Sequence, residues 1–215
     1  RLPVISSIVC EGIRDAKEHA SMAREAGAKA LDVMPPHHWL RFGFRPDHVT
    51  EYFAAIAEAG LDLVAHVYPA WTRASYSSAT LAQLARLPYV AAFKVGQRDM
   101  NKYAADIKAI RAADPSKVIL TCHDEYLLAS MVQGVDGALV GFATFIPSLI
   151  NDLWEAVKAG VAHLERVAQD GVHAPVGARA HPPGLVELTD KIEDRPFVLR
   201  RGRRQHGDGV PSQHN

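Results

Sequence analysis

Short apolar, β-branched runs alternate along this chain with longer stretches whose apolar residues recur at helical spacing. Val4 to Val9 predicts a strand, and residues 14–26 predict the helix after it, with Gly27 where a helix C-terminal glycine belongs. Lys29 to Met34 predicts the next strand. Residues 46–59 predict a helix with Pro46 at its start, Val49, Phe53 and Ile56 on one face, and Gly60 past its end. Further strands are predicted over 61–67, 90–94, 117–121 and 136–140. Helices fall between and after them: 77–86 with capping Ser77, 99–113 with Ile107 and Ile110 inward, 124–133 and 147–159.

Six strand–helix units in a row predict an α/β fold, a parallel sheet with helices outside it. The steady period of roughly thirty residues favours a (β/α)8 TIM barrel over a doubly wound sheet. A closed barrel has eight units. The chain enters its first strand with no polar lead-in, which places the two absent units before Arg1. Residues 1–160 thus read as a partial barrel. Residues 161–215 read as a basic Gly/Pro/Arg-rich tail, either poorly packed or produced by a change of frame, with apolar spacing only around Val161 to Val167.

Composition narrows the function. The 215 residues carry 24 Lys and Arg against 24 Asp and Glu, a formal net charge of zero. That balance calls for neither nucleic acid nor a membrane surface as partner. Five arginines fall within 195–204, but no nucleic-acid reading motif accompanies them. No stretch is long and apolar enough to span a bilayer. Cys10 and Cys122, the 2 cysteines, fit no disulfide or metal spacing, so the cytoplasm is the expected compartment.

Candidate chemistry gathers where the strands end. Lys94 closes the run Tyr89-Val90-Ala91-Ala92-Phe93 and precedes Val95-Gly96. Its position is the carboxyl edge of the sheet, where ligands bind in barrels. A partly desolvated lysine there loses its proton more readily and can attack a carbonyl to form a Schiff base. Taken alone, a strand-end lysine more commonly snorkels to solvent. The neighbouring strands end in His37 and His38, in His66 and Tyr68, and in His123 and Asp124. Two enzymatic readings follow. Lys94 forms an imine while His66, Tyr68, His37 or His38 moves protons, or His37 or His38, His66, His123 and Asp124 bind a divalent metal that polarises a carbonyl. A third reading is a catalytically inactive relative.

The order of segments resembles the dihydrodipicolinate synthase and N-acetylneuraminate lyase family of class I aldolases, from Leu2 to Gly160. The landmarks are Leu2-Pro3-Val4-Ile5, residues 26–31, Pro36-His37-His38, Tyr68-Pro69 with Thr72, Leu81 to Pro88, Ala92-Phe93-Lys94 and residues 134–137. The resemblance implies a (β/α)8 barrel with Lys94 as the Schiff-base lysine. It further implies pyruvate or a longer 2-oxo acid as substrate, no cofactor or metal, and a homodimer or homotetramer. The family's relay tyrosine falls on His66, with Tyr68 two residues on as the reserve. Its paired tyrosines fall on His37 and His38, expected substrate or subunit contacts, and Thr72 and Leu139 are assigned to the substrate site with them. The arginine that holds a second substrate's carboxylate falls on Trp71. The Gly-Thr-Thr-Gly-Glu turn has no counterpart. A divergent member acting on a different 2-oxo acid is therefore expected.

Overall fold

The computed structural model describes residues 3–69 and 76–171, with side chains described for all of these except Leu40 and residues 161–171. Six parallel strands form one sheet in sequence order: β1 Ile5–Ile8, β2 Ala30–Val33, β3 Asp62–Val67, β4 Val90–Val95, β5 Val118–Thr121 and β6 Gly137–Ala138. The helices are α1 Ile13–Glu25, α2 His38–Phe42, α3 Pro46–Ala57, α4 Ser78–Ala85, α5 Met100–Ala113, α6 Leu127–Val132 and α7 Pro147–Gly171. These are six units of a (β/α)8 barrel, as the periodicity predicts. Contacts divide the chain at Glu165. Unit Arg1–Glu165 holds the sheet, and of the unit Arg166–Asn215 the described part is the end of α7.

One face of the sheet is apolar and packs against helices. Ile8, Leu31, Val33, Leu63, Ala65, Val67, Phe93, Val95 and Ile119 are all fully buried there. Four helices answer with a stripe at helical spacing: Ala16, Ala20 and Ala23 on α1, Val49, Phe53 and Ile56 on α3, Leu81 and Leu84 on α4, and Tyr103, Ile107 and Ile110 on α5. Small α1 residues let that helix lie close to the strands. Ser77 caps α4 by accepting the Thr80 N–H at 3.0 Å, as the sequence predicts. Asp99 caps α5 by accepting from the N–H groups of Asn101 and Lys102.

The other face carries the polar positions. Ser7 pairs with Asp32, and Asp32 with Val64, so Ser7, Asp32 and His66 share a side of the pleat. A register shift between Leu63 and Val64 inserts one extra β4 residue, Ala91. Without it, His66 would pair with Phe93. With it, His66 pairs with Lys94. A one-residue slip exchanges the two faces of a strand, so this irregularity puts the lysine and the histidine on one side.

Four elements differ from expectation. Helix α2 is new. The segment expected as a helix from Asp124 opens with a 3-10 turn, Asp124–Tyr126, before α6. Strand β6 is only two residues long. Helix α7 passes the expected boundary at Gly160 and runs to Gly171. The rest of the basic tail lies outside the described residues. Among the described residues no helix is long and apolar enough to cross a membrane.

Candidate active site

A cavity of about 350 Å³ opens at the carboxyl ends of β3 to β6. His66 and Tyr68 line it from β3 and the residue beyond it, and Lys94 from β4. Cys122 and Asp124 follow β5, and Leu139, Val140 and Gly141 follow β6. Lys94 is partly buried. Its strand is closed off by Gly96, whose N–H donates to the Val67 carbonyl at 2.6 Å.

His66 is almost wholly buried, at 4% exposure, and so is Asp32, also at 4%. His66 Nδ1 lies 3.0 Å from Asp32 Oδ2, which also accepts from Ser7 Oγ at 3.4 Å. On the far side of the ring, His66 Nε2 lies 3.6 Å from Cys122 Sγ. Burial pushes the Cys122 thiol up from its ordinary range, and the nearby Lys94 charge opposes that rise. Asp32, His66, Lys94 and Cys122 thus come from β2, β3, β4 and the end of β5, four neighbouring strands, on one side of the sheet.

Tyr68 fills the space beyond. Its ring centroid is 5.5 Å from that of His66 and 5.2 Å from that of His123. His123 is buried and its Nε2 donates to the Gly96 carbonyl at 2.6 Å. Asp124 Oδ1 accepts the Phe142 N–H at 2.8 Å and so ties the loop after β6 to the mouth.

The expected site residues divide. Lys94, His66, Tyr68 and Leu139 line one cavity. His37 and His38 do not line it. Both donate to Glu11, through their backbone N–H groups at 2.9 and 2.8 Å and through Nδ1 at 3.0 and 2.9 Å. Burial alone would raise the Glu11 pKa, but these donors outweigh it and hold the carboxyl at about 2. Thr72 and Trp71 lie outside the described residues. Asp32 and Cys122 were not expected in the site. The sign of Asp32 was a carboxylate inside the apolar run Leu31-Asp32-Val33, and that of Cys122 its place one residue past a strand end.

The four groups of the metal reading are engaged separately, by Glu11, by Asp32, by the Gly96 carbonyl and by the Phe142 amide. Among the described residues no three His, Cys, Asp or Glu side chains come together as a metal site.

The profile of the Dihydrodipicolinate synthetase family matches residues 1–174. The chain belongs to that family. It is 26% identical to an N-acetylneuraminate lyase of Rhizobium meliloti (strain 1021), over 74% of this chain and 51% of that protein. The chain spans about half the length of such curated relatives. Two solved structures share the fold. One is a prophage protein of the dihydrodipicolinic acid synthase family from Escherichia coli K12, in complex with pyruvate. Its TM-score is 0.68 at 20% identity, covering 90% of this chain and 75% of that one. The other is a catalytic lysine mutant of a Ruminococcus gnavus sialic acid aldolase, with a TM-score of 0.65 at 24% identity, covering 77% and 53%. The family thus holds lyases and aldolases.

Proposed function

We propose that this chain carries the nucleophile and the proton relay of a class I, Schiff-base-forming lyase acting on pyruvate or a longer 2-oxo acid. The observation that carries this reading is the pairing of Lys94 with His66 across β3 and β4, at the mouth of a cavity large enough for a small acid. A relative solved as a catalytic lysine mutant and another solved with pyruvate support the same chemistry.

The neutral Lys94 amine adds to the C2 carbonyl, and the carbinolamine loses water to give an iminium. The cationic nitrogen draws in the electron pair of the breaking C3–H bond or, in a 4-hydroxy-2-oxo acid, of the C3–C4 bond. Cleavage of C3–C4 also requires the 4-hydroxyl proton to leave. His66 is the group we assign to that transfer, with Tyr68 as the second candidate. Leu139 supplies an apolar wall. Thr72, His37 and His38 are proposed contacts for the far end of the substrate or for a neighbouring subunit, within a homodimer or homotetramer.

Release of pyruvate from a panel of 4-hydroxy-2-oxo acids tests the reading. Lys94→Ala should lower turnover on the order of 10⁴-fold, and chelators should leave it unchanged. Turnover that survives Lys94→Ala and disappears on chelation would favour the metal reading instead.

A further inference from the structure

We propose that Asp32 is the positioning residue of the proton relay, holding His66 as the tautomer whose Nε2 is the base. The inference rests on Lys94 being the imine-forming nucleophile. An ionised carboxylate can only accept hydrogen bonds, so the His66 nitrogen facing Asp32 Oδ2 at 3.0 Å, Nδ1, carries the proton. The neutral ring is then left with its lone pair on Nε2. That nitrogen faces the Cys122 thiol at 3.6 Å, and Cys122 lines the cavity with Lys94.

Three features separate this arrangement from ordinary packing. Asp32 lies inside an apolar strand, where an aliphatic residue would be the cheaper choice. Its other oxygen, Oδ1, is buried with no hydrogen-bond partner among the described residues, so the hydrogen bonds the carboxylate accepts there fall on Oδ2, the oxygen that faces His66. Ser7, from β1, adds a second, longer contact to the same Oδ2 at 3.4 Å. The pattern is that of a base oriented by a buried carboxylate.

In the step itself, His66 Nε2 takes a proton from C3 of the iminium. The C–H electron pair becomes the enamine double bond, and the iminium electrons return to nitrogen. Imidazolium forms beside Asp32, which offsets its charge in a buried setting. The imidazolium exchanges that proton with solvent, and Nε2 delivers a solvent-derived one to C3 when the enamine is quenched.

The test uses the full chain and pyruvate. ¹⁵N NMR of His66 reads the tautomer directly, and the neutral ring should carry its proton on Nδ1. A neutral His66 protonated on Nε2 would overturn the inference without any variant. Incubation with pyruvate in D2O, followed by borohydride trapping, then reads deuterium entering C3 of the adduct by intact mass. Asp32→Asn should still form the adduct on Lys94 but exchange C3 about 10²- to 10⁴-fold more slowly, with the His66 tautomer altered. An Asp32→Asn chain that forms the adduct and exchanges at the original rate would contradict the role of Asp32. Absence of any adduct in the unmutated chain would instead contradict the assignment of Lys94.

Discussion

Gly96 shows how tightly the site is built at the level of single residues. A Cβ at this position would stand 2.5 Å from Tyr68 Cδ2 and 2.9 Å from the Val67 carbonyl oxygen. The oxygen is backbone and is held by the Gly96 N–H itself, so it cannot retreat without breaking that bond. The Tyr68 ring would have to leave its place between His66 and His123. Gly96→Ala should therefore destabilise the chain by about 1–3 kcal/mol, the usual cost of overpacking, as read by urea denaturation. A midpoint unchanged from that of the parent chain would show that the ring moves freely. The glycine after Lys94 was visible in the sequence. Its reason was not, because the crowding comes from β3, in another part of the chain.

Glu11 and helix α2 carry the corresponding lesson for elements. The loop between β1 and α1 supplies one carboxylate that accepts from both backbone N–H groups and both rings of His37 and His38. A five-residue helix has little stability of its own, and this one opens on a cap from a distant loop. No local pattern could announce it, which is why α2 was not legible while α1, α3 and α5 were. Strand β6 was over-extended for a related reason. Among the described residues only β5 pairs with it, and its ladder lapses after the Leu139 N–H bonds the Thr121 carbonyl. Glu11 also predicts an acid dependence. Its folded pKa of about 2 lies below the ordinary 4.5, so its contribution to stability is complete above about pH 4.5. That contribution falls as pH drops towards 2. Thermal melts of Glu11→Gln and the parent chain should differ above pH 4.5 and converge as pH falls. A constant difference across that range would contradict the assignment.

At the scale of the whole molecule, the six-unit alternation was legible because buried parallel strands and amphipathic helices write different periods into the sequence. The convergence of strand-end groups was legible only in part. Every strand end lies on one edge of the sheet, but which residues meet there depends on register. The shift between Leu63 and Val64 brings Lys94 beside His66, and no residue near it signals that shift. His37, His38 and His123 stand at strand ends as His66 does, and in the sequence only the family resemblance set His66 apart as the relay. The fold commits His37 and His38 to Glu11 and His123 to the Gly96 carbonyl, and leaves His66 between a buried carboxylate and the cavity.

The most direct test of this account is borohydride reduction of the chain with pyruvate and other 2-oxo acids, read by intact mass and peptide mapping. A stable adduct on the peptide carrying Lys94, absent from Lys94→Ala, is the predicted result. A folded chain that takes up no 2-oxo acid, or takes it up on another lysine, would contradict it.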